Sequence, residues 1–197
     1  TVLARHENAA GFMAEGYWHA TGTPPILYAT LGPGAANAVN VVANAMQDRV
    51  PLIVLTGCVE TALDGIYTHQ IFDHAALFRP ITKASLRAGP GEEDRVVDAA
   101  LALAFAGRPG PVHVDLPIDV MEARVPERAV VASTPAPRDL PDVSRAAGLL
   151  ATAKRPLVLA GLDVVNEEAS AALGGLVERL GAGVLTTYKA KGTIAET

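Results

Sequence analysis

The sequence predicts an α/β protein, a parallel sheet flanked by helices, on three observations. Apolar runs of strand length alternate with amphipathic helical patterns. The strand candidates are continuous apolar runs rather than strict alternations, as expected of strands covered on both faces. The 197 residues are 50% hydrophobic and 5% aromatic, a composition that builds a core and differs from that of a disordered chain.

Strands are expected at 26–30, 52–56, 81–84 and 112–116, and helices at 7–20, 34–48, 71–78 and 92–106. Gly22, Gly57, Gly89 and Gly110 punctuate the boundaries. These elements make a first domain over 1–120. From 121 to 142 the pattern lapses, and Pro126, Pro135, Pro137 and Pro141 mark a linker. Alternation then resumes, with a helix over 143–152, a strand over 156–160, a helix over 167–181 and a strand over 184–187. Residues 143–197 are too few for a whole domain, so they are expected to be the truncated start of a second α/β domain. The missing initiator Met and the abrupt opening suggest a piece of a longer chain.

The formal net charge is −5 and no Lys/Arg cluster stands out, which argues against a nucleic-acid partner. No apolar run is long enough to span a bilayer, so no membrane partner is expected. The single cysteine, Cys58, fits a reducing, cytoplasmic compartment. It follows an apolar strand and is expected to be a small core residue.

Two stretches invite chemistry. In "LARHENAAGFMAEGYWHATG" a short apolar run meets a helix pattern at Glu7, so a carboxylate sits at the seam. An acid at a helix start complements the helix dipole without further purpose. In "YATLGPGAANAVNVVANAMQDRVPLIVLTG" a strand runs into Gly32-Pro33-Gly34 and then a helix, a turn that lets a ligand approach the backbone. It is neither a dinucleotide fingerprint, because Asn37 stands where the third glycine belongs, nor a Walker A loop. His69 and Asp73 lie one helical turn apart, but a polar helix start explains them equally, and no metal ligand is assigned. Ala10, Met13, Ala14 and Tyr17 on one helix, and Ala38, Val41, Val42 and Ala45 on the next, form apolar faces that suit a core or an interface between subunits.

Four segments occur in order: "RHENAAGFMAEGYWHATG", "TLGPGAANAVNVVANAMQDRVPLIVLTG", "HQIFDHAALFRPITK" and "GPVHVDLPIDV". Together they resemble the N-terminal, pyrimidine-binding domain of the thiamine-diphosphate-dependent 2-oxo acid decarboxylase and acetolactate synthase family. "KRPLVLAGLDVVNEEA" and "GAGVLTTYKAKGTIAE" resemble the opening of its central domain. The resemblance implies the thiamine-diphosphate-binding fold, with Glu7 as the catalytic residue that hydrogen-bonds N1′ of the aminopyrimidine and shares a proton with it. It implies that Gly32, Pro33 and Gly34 line the pyrimidine pocket, with Asn37 and Gln70 near cofactor or substrate. Ligands of open α/β sheets bind at the carboxyl ends of strands, so Glu7 and the glycine turn are expected at one sheet edge.

The implied activity is that of a lyase or transferase that decarboxylates a 2-oxo acid and passes the resulting carbanion to a second carbonyl. The implied cofactors are thiamine diphosphate and Mg2+. The Gly-Asp-Gly signature that binds diphosphate and magnesium is absent, Asp64-Gly65 being no substitute, so the chain alone is expected to be inactive. The strand and helix that normally precede Arg-His-Glu are absent as well. Binding of FAD is left open, because His69-Gln70-Ile71 stands in place of Phe-Gln-Glu and Gly161-Leu162-Asp163 in place of a glycine-rich turn. The implied partners are a 2-oxo acid substrate and further copies of the chain, as a homodimer or homotetramer. The competing reading is a non-catalytic binding or structural module that keeps the fold without turnover; a nucleotide-binding oxidoreductase ranks below both.

Overall fold

The two longest buried runs, Ile53–Cys58 and Val112–Pro117, pair at the centre of the sheet, where both of their faces are covered. The computed structural model describes residues 1–124 and 141–195. The chain divides into two compact units, Thr1–Pro135 and Ala136–Thr197.

In the first unit the order is α1 (Glu7–Thr21), β1 (Ile26–Ala29), α2 (Pro33–Asn37), α3 (Val39–Asp48), β2 (Ile53–Cys58), α4 (His74–Phe78), β3 (Ala84–Arg87), α5 (Glu93–Phe105), β4 (Val112–Pro117) and α6 (Ile118–Met121). The strands form one parallel sheet in the order β1-β2-β4-β3. Leu27, Val54, His113 and Ser85 lie in register across it. Successive side chains point to opposite faces. Leu27 and Val54 pack with Ala38, Val41, Val42 and Phe78, whereas Ile53, Val112 and Val114 pack against Ala100 and Ala104 of α5. β1 is an edge strand, and its Ile26 and Tyr28 remain exposed.

Several elements depart from the sequence expectation. Residues 1–6 form no strand, and Val2 and Leu3 are exposed, so Glu7 opens a helix without standing at a strand seam. The helix expected over 34–48 breaks at Ala38, whose N–H turns back to the carbonyls of Ala35 and Ala36. The helix expected over 71–78 starts at His74, because the Asp73 carboxylate caps it by accepting from Ala76 N at 2.8 Å. Residues 69–73 are therefore not helical, and the one-turn spacing of His69 and Asp73 does not arise. The strand expected over 81–84 is β3, three residues later, because Pro80 and Ile81 belong to a 3₁₀ turn and pairing with β4 begins at Ala84. Ala38, Val41, Val42 and Ala45 are fully buried in the chain's own core, so this face is no subunit surface. On α1, Ala10 and Ala14 also pack on that core, while Met13 and Tyr17 face outward.

The second unit contains α7 (Ser144–Ala151), β5 (Leu157–Ala160), α8 (Asp163–Asn166), α9 (Ser170–Leu180) and β6 (Gly183–Thr186), with β5 and β6 parallel. The helix expected over 167–181 is interrupted ahead of α9, because Glu168 takes a left-handed conformation at φ 52°. Most of the expected linker, residues 125–140, lies outside the described residues. Among the described residues, no helix is long and apolar enough to cross a membrane.

Candidate cofactor site

α1 begins at Glu7, where His6 caps the helix by accepting from Asn8 N at 3.1 Å. Three polar links tie α1 to the helices after the glycine turn. Asn37 Nδ2 donates to Glu7 Oε2 at 3.0 Å, Asn40 Nδ2 to Asn8 Oδ1 at 3.2 Å, and Asn44 Nδ2 to Glu15 Oε2 at 2.8 Å. The asparagines stand three and four residues apart, which places them on one side of the helical run. Glu7 is thereby held, half-buried, beside α2.

The turn Gly32-Pro33-Gly34 follows the carboxyl end of β1 and opens α2. A Cβ at Gly34 would sit 2.6 Å from Thr30 Cγ2 and 3.3 Å from Glu7 Oε1. Only a residue without a side chain fits against Thr30 here, and the Gly34 backbone thereby lies close to the carboxylate oxygen that Asn37 does not use. Gly32 has φ 55° and ψ −109°, and a Cβ there would overlap the Gln70 carbonyl oxygen. Gln70 itself has φ 58°, so two left-handed residues interlock where its loop crosses the turn. Gly32→Ala should therefore cost about 2–4 kcal/mol of stability, strain and backbone overlap acting together. Thermal denaturation measures it, and a loss below about 0.5 kcal/mol would contradict the interlock.

The turn is anchored from beneath. Gly32 N–H donates to His74 Nε2 at 3.0 Å, and His74 Nδ1 lies 2.7 Å from Asp115 Oδ1. Thr56 Oγ1 reaches the same oxygen at 2.5 Å and His113 Nε2 at 2.7 Å, and Ser85 Oγ meets His113 Nδ1 at 2.6 Å. Burial pushes the Asp115 carboxyl up, but the polar groups of His113, His74 and Thr56 around it more than reverse this and hold it well below the usual carboxylate range. His74, His113 and Asp115 bring their ligand atoms within 4.8 Å of one another. Both nitrogens of each histidine are already engaged in hydrogen bonds, so neither imidazole offers a free lone pair to a cation. A pocket of about 530 Å³ opens next to it, lined among others by Tyr67, Phe72, His74, Ser85 and Arg87. Cys58 also lines it, with its thiol pushed up to about 11, mainly by burial.

The structure thus brings Glu7, Gly34 and Asn37 into contact and lays the Gln70 backbone on Gly32, while Pro33 is exposed on the turn. Sequence reasoning missed Thr56, His74, His113 and Asp115. Their one visible signal is the alternation of His113 and Asp115 inside an apolar strand, which puts two polar groups on one buried face.

An open parallel sheet with a carboxylate and a glycine turn at its strand ends defines a cofactor-binding α/β domain. Residues 1–77 match the family described as thiamine pyrophosphate enzyme, N-terminal TPP binding domain, and residues 143–197 match thiamine pyrophosphate enzyme, central domain. The chain belongs to the thiamine pyrophosphate enzymes. It is 39% identical over 208 residues to a probable acetolactate synthase large subunit of Methanocaldococcus jannaschii, covering 99% of this chain and 35% of that protein. It is 36% identical to an acetolactate synthase of Mycobacterium bovis, covering 99% and 33%, and 35% identical to the mitochondrial acetolactate synthase catalytic subunit of Saccharomyces cerevisiae, covering 98% and 30%. The chain spans about a third of the length of these curated relatives.

Proposed function

We propose that the chain is the pyrimidine-binding part, with the start of the central domain, of a thiamine-diphosphate-dependent enzyme that decarboxylates a 2-oxo acid and transfers the product to a second carbonyl, in the manner of an acetolactate synthase. The observation that carries this reading is the Glu7 carboxylate, with one oxygen tied to Asn37 and the other beside Gly34 of the glycine turn. The half-buried Glu7 carboxylate would meet a ring nitrogen of the aminopyrimidine with its Oε1. Glu7 would hold and exchange a proton at the ring nitrogen N1′, and Asn37 would orient the carboxylate. Gly32, Pro33 and Gly34 would line the ring's pocket, and Gln70 would stand at its rim. When bound, thiamine diphosphate supplies the electron sink for loss of carbon dioxide.

Magnesium would be held with the diphosphate by residues beyond this chain, and FAD has no part in the proposal. Association into a homodimer or homotetramer is part of the reading, supported by Met13 and Tyr17 facing outward on α1. So is a cytoplasmic location, supported by the single buried cysteine. A module without turnover is the less favoured reading, because the relatives described above are named as acetolactate synthases. The test is to express the full-length parent with thiamine diphosphate and Mg2+, offer simple 2-oxo acids, and measure carbon dioxide and products. Cofactor-dependent release is expected, and no release from any of them would sink the proposal.

A further inference from the structure

We propose that His74 is a positioning residue for the cofactor turn, holding the Gly32 N–H on an Nε2 that the buried Asp115, across the ring, keeps free of a proton. The inference rests on the thiamine diphosphate reading for its affinity readout, but not for its geometry.

The hydrogen-bond donors fix the protons one after another. A backbone N–H can only donate, so His74 Nε2 accepts from Gly32 and carries no proton. The ring's proton is then on Nδ1, which donates to Asp115 Oδ1. Asp115 is ionised and accepts from Thr56 as well. With its hydroxyl proton committed, Thr56 accepts from His113 Nε2, and Ser85 Oγ bonds the ring's other nitrogen. Every bond in this arrangement has one donor and one acceptor. The chain runs from β3 through β4 and β2 to α4 and ends on the glycine turn.

Gly32 needs such an anchor. Its N–H lies in the turn between β1 and α2, outside the sheet's pairing, and the residue is buried. Its left-handed conformation has no helix or strand ladder to maintain it. Gly34, which borders Glu7, and Asn37, which bonds it, both follow from where Gly32 is held. His74 is itself fixed: Asp73 caps its helix, the Phe72 ring stands edge-on at 5.2 Å, and the residue is 4% exposed.

Two variants of the full-length parent, assayed with thiamine diphosphate and Mg2+, separate positioning from general structure. His74→Phe keeps a ring of similar shape and offers Gly32 no acceptor; it should raise the KM for thiamine diphosphate about tenfold, with kcat at saturating cofactor within about threefold of wild type. His74→Gln places an amide oxygen near the position of Nε2, so it should restore that KM to within about threefold of wild type although the bond to Asp115 is weakened. Solid-state NMR of the wild-type parent labelled with [15N]histidine should show His74 protonated at Nδ1 and not at Nε2. A wild-type KM in His74→Phe, no recovery in His74→Gln, or a proton on Nε2 would each overturn the proposal. Should His74→Phe fail to fold, the glutamine variant and the tautomer still decide. A wild-type parent with no thiamine-diphosphate-dependent turnover would refute the functional reading instead, and the tautomer would then decide His74 by itself.

Discussion

Glu7→Gln in the full-length parent should lower turnover of its 2-oxo acid by about 10²- to 10⁴-fold, the usual contribution of a general acid–base group. Glutamine has the size of glutamate, and its amide oxygen can still accept from Asn37 Nδ2, so α1 should stay docked on α2. Its amide nitrogen can hydrogen-bond a ring nitrogen but cannot exchange a proton with it. The half-buried position makes a large folding penalty unexpected. The signature is thus a low kcat with a near-normal melting temperature and near-normal cofactor affinity. Exchange of the C2 proton of added thiamine diphosphate against deuterium, read by NMR after acid quench, isolates the proton-transfer role. Wild-type exchange in the variant would reduce Glu7 to a residue that merely favours the start of a helix.

The largest effect on stability is expected at Asp115. Asp115→Ala leaves the N–H of His74 and the hydroxyl of Thr56 buried without their acceptor, and should cost about 3–5 kcal/mol, as breaking a buried charged network does. The side chain is only 12% exposed, so water cannot readily take the carboxylate's place. The pH dependence has a definite sign. Because the folded state depresses the carboxyl's affinity for protons, its stabilisation is fully present above about pH 4, the unfolded value, and fades as pH falls below that. Asp115→Asn removes the titrating group, so the stability gap between it and the wild type should narrow on acidification. Urea denaturation from pH 7 down to pH 3 measures both effects. A constant gap, or a loss below about 1 kcal/mol in the alanine variant, would remove Asp115 from the network's centre.

The parallel sheet was legible because its central strands are apolar on both faces, and β1, β2 and β4 fall within a few residues of the positions their hydrophobicity indicates. β3 was misplaced because its residues Ser85 and Arg87 are polar; their partners, His113 and Asp64, are distant in the chain. The helix break at Ala38 left no trace, since alanine favours helix. The spacing of Asn37, Asn40 and Asn44 was visible, but their partners on α1 were not, because a helical face does not reveal what it meets. The apolar face of α3 could equally have been core or interface, and only its burial against the sheet decides it. His74 carries no local sign of its role, as that role is created by Gly32 on one side and Asp115 on the other.

These separations also set an order in time. Glu7 and Asn37 are 30 residues apart, so their contact can close soon after Asn37 has left the ribosome. The Gly32 anchor spans 42 residues to His74 and a further 41 to Asp115, and loops of that length close only when the strands between them have paired. A nascent chain halted before β4 would therefore carry the carboxylate beside an unlatched glycine turn. Limited proteolysis of ribosome-arrested chains should find the segment around Gly32 cleavable before residue 115 emerges and protected afterwards. Equal protection at both lengths would show that the turn closes without the sheet. The latch on the glycine turn is thus complete only after the last strand of the sheet has been laid in.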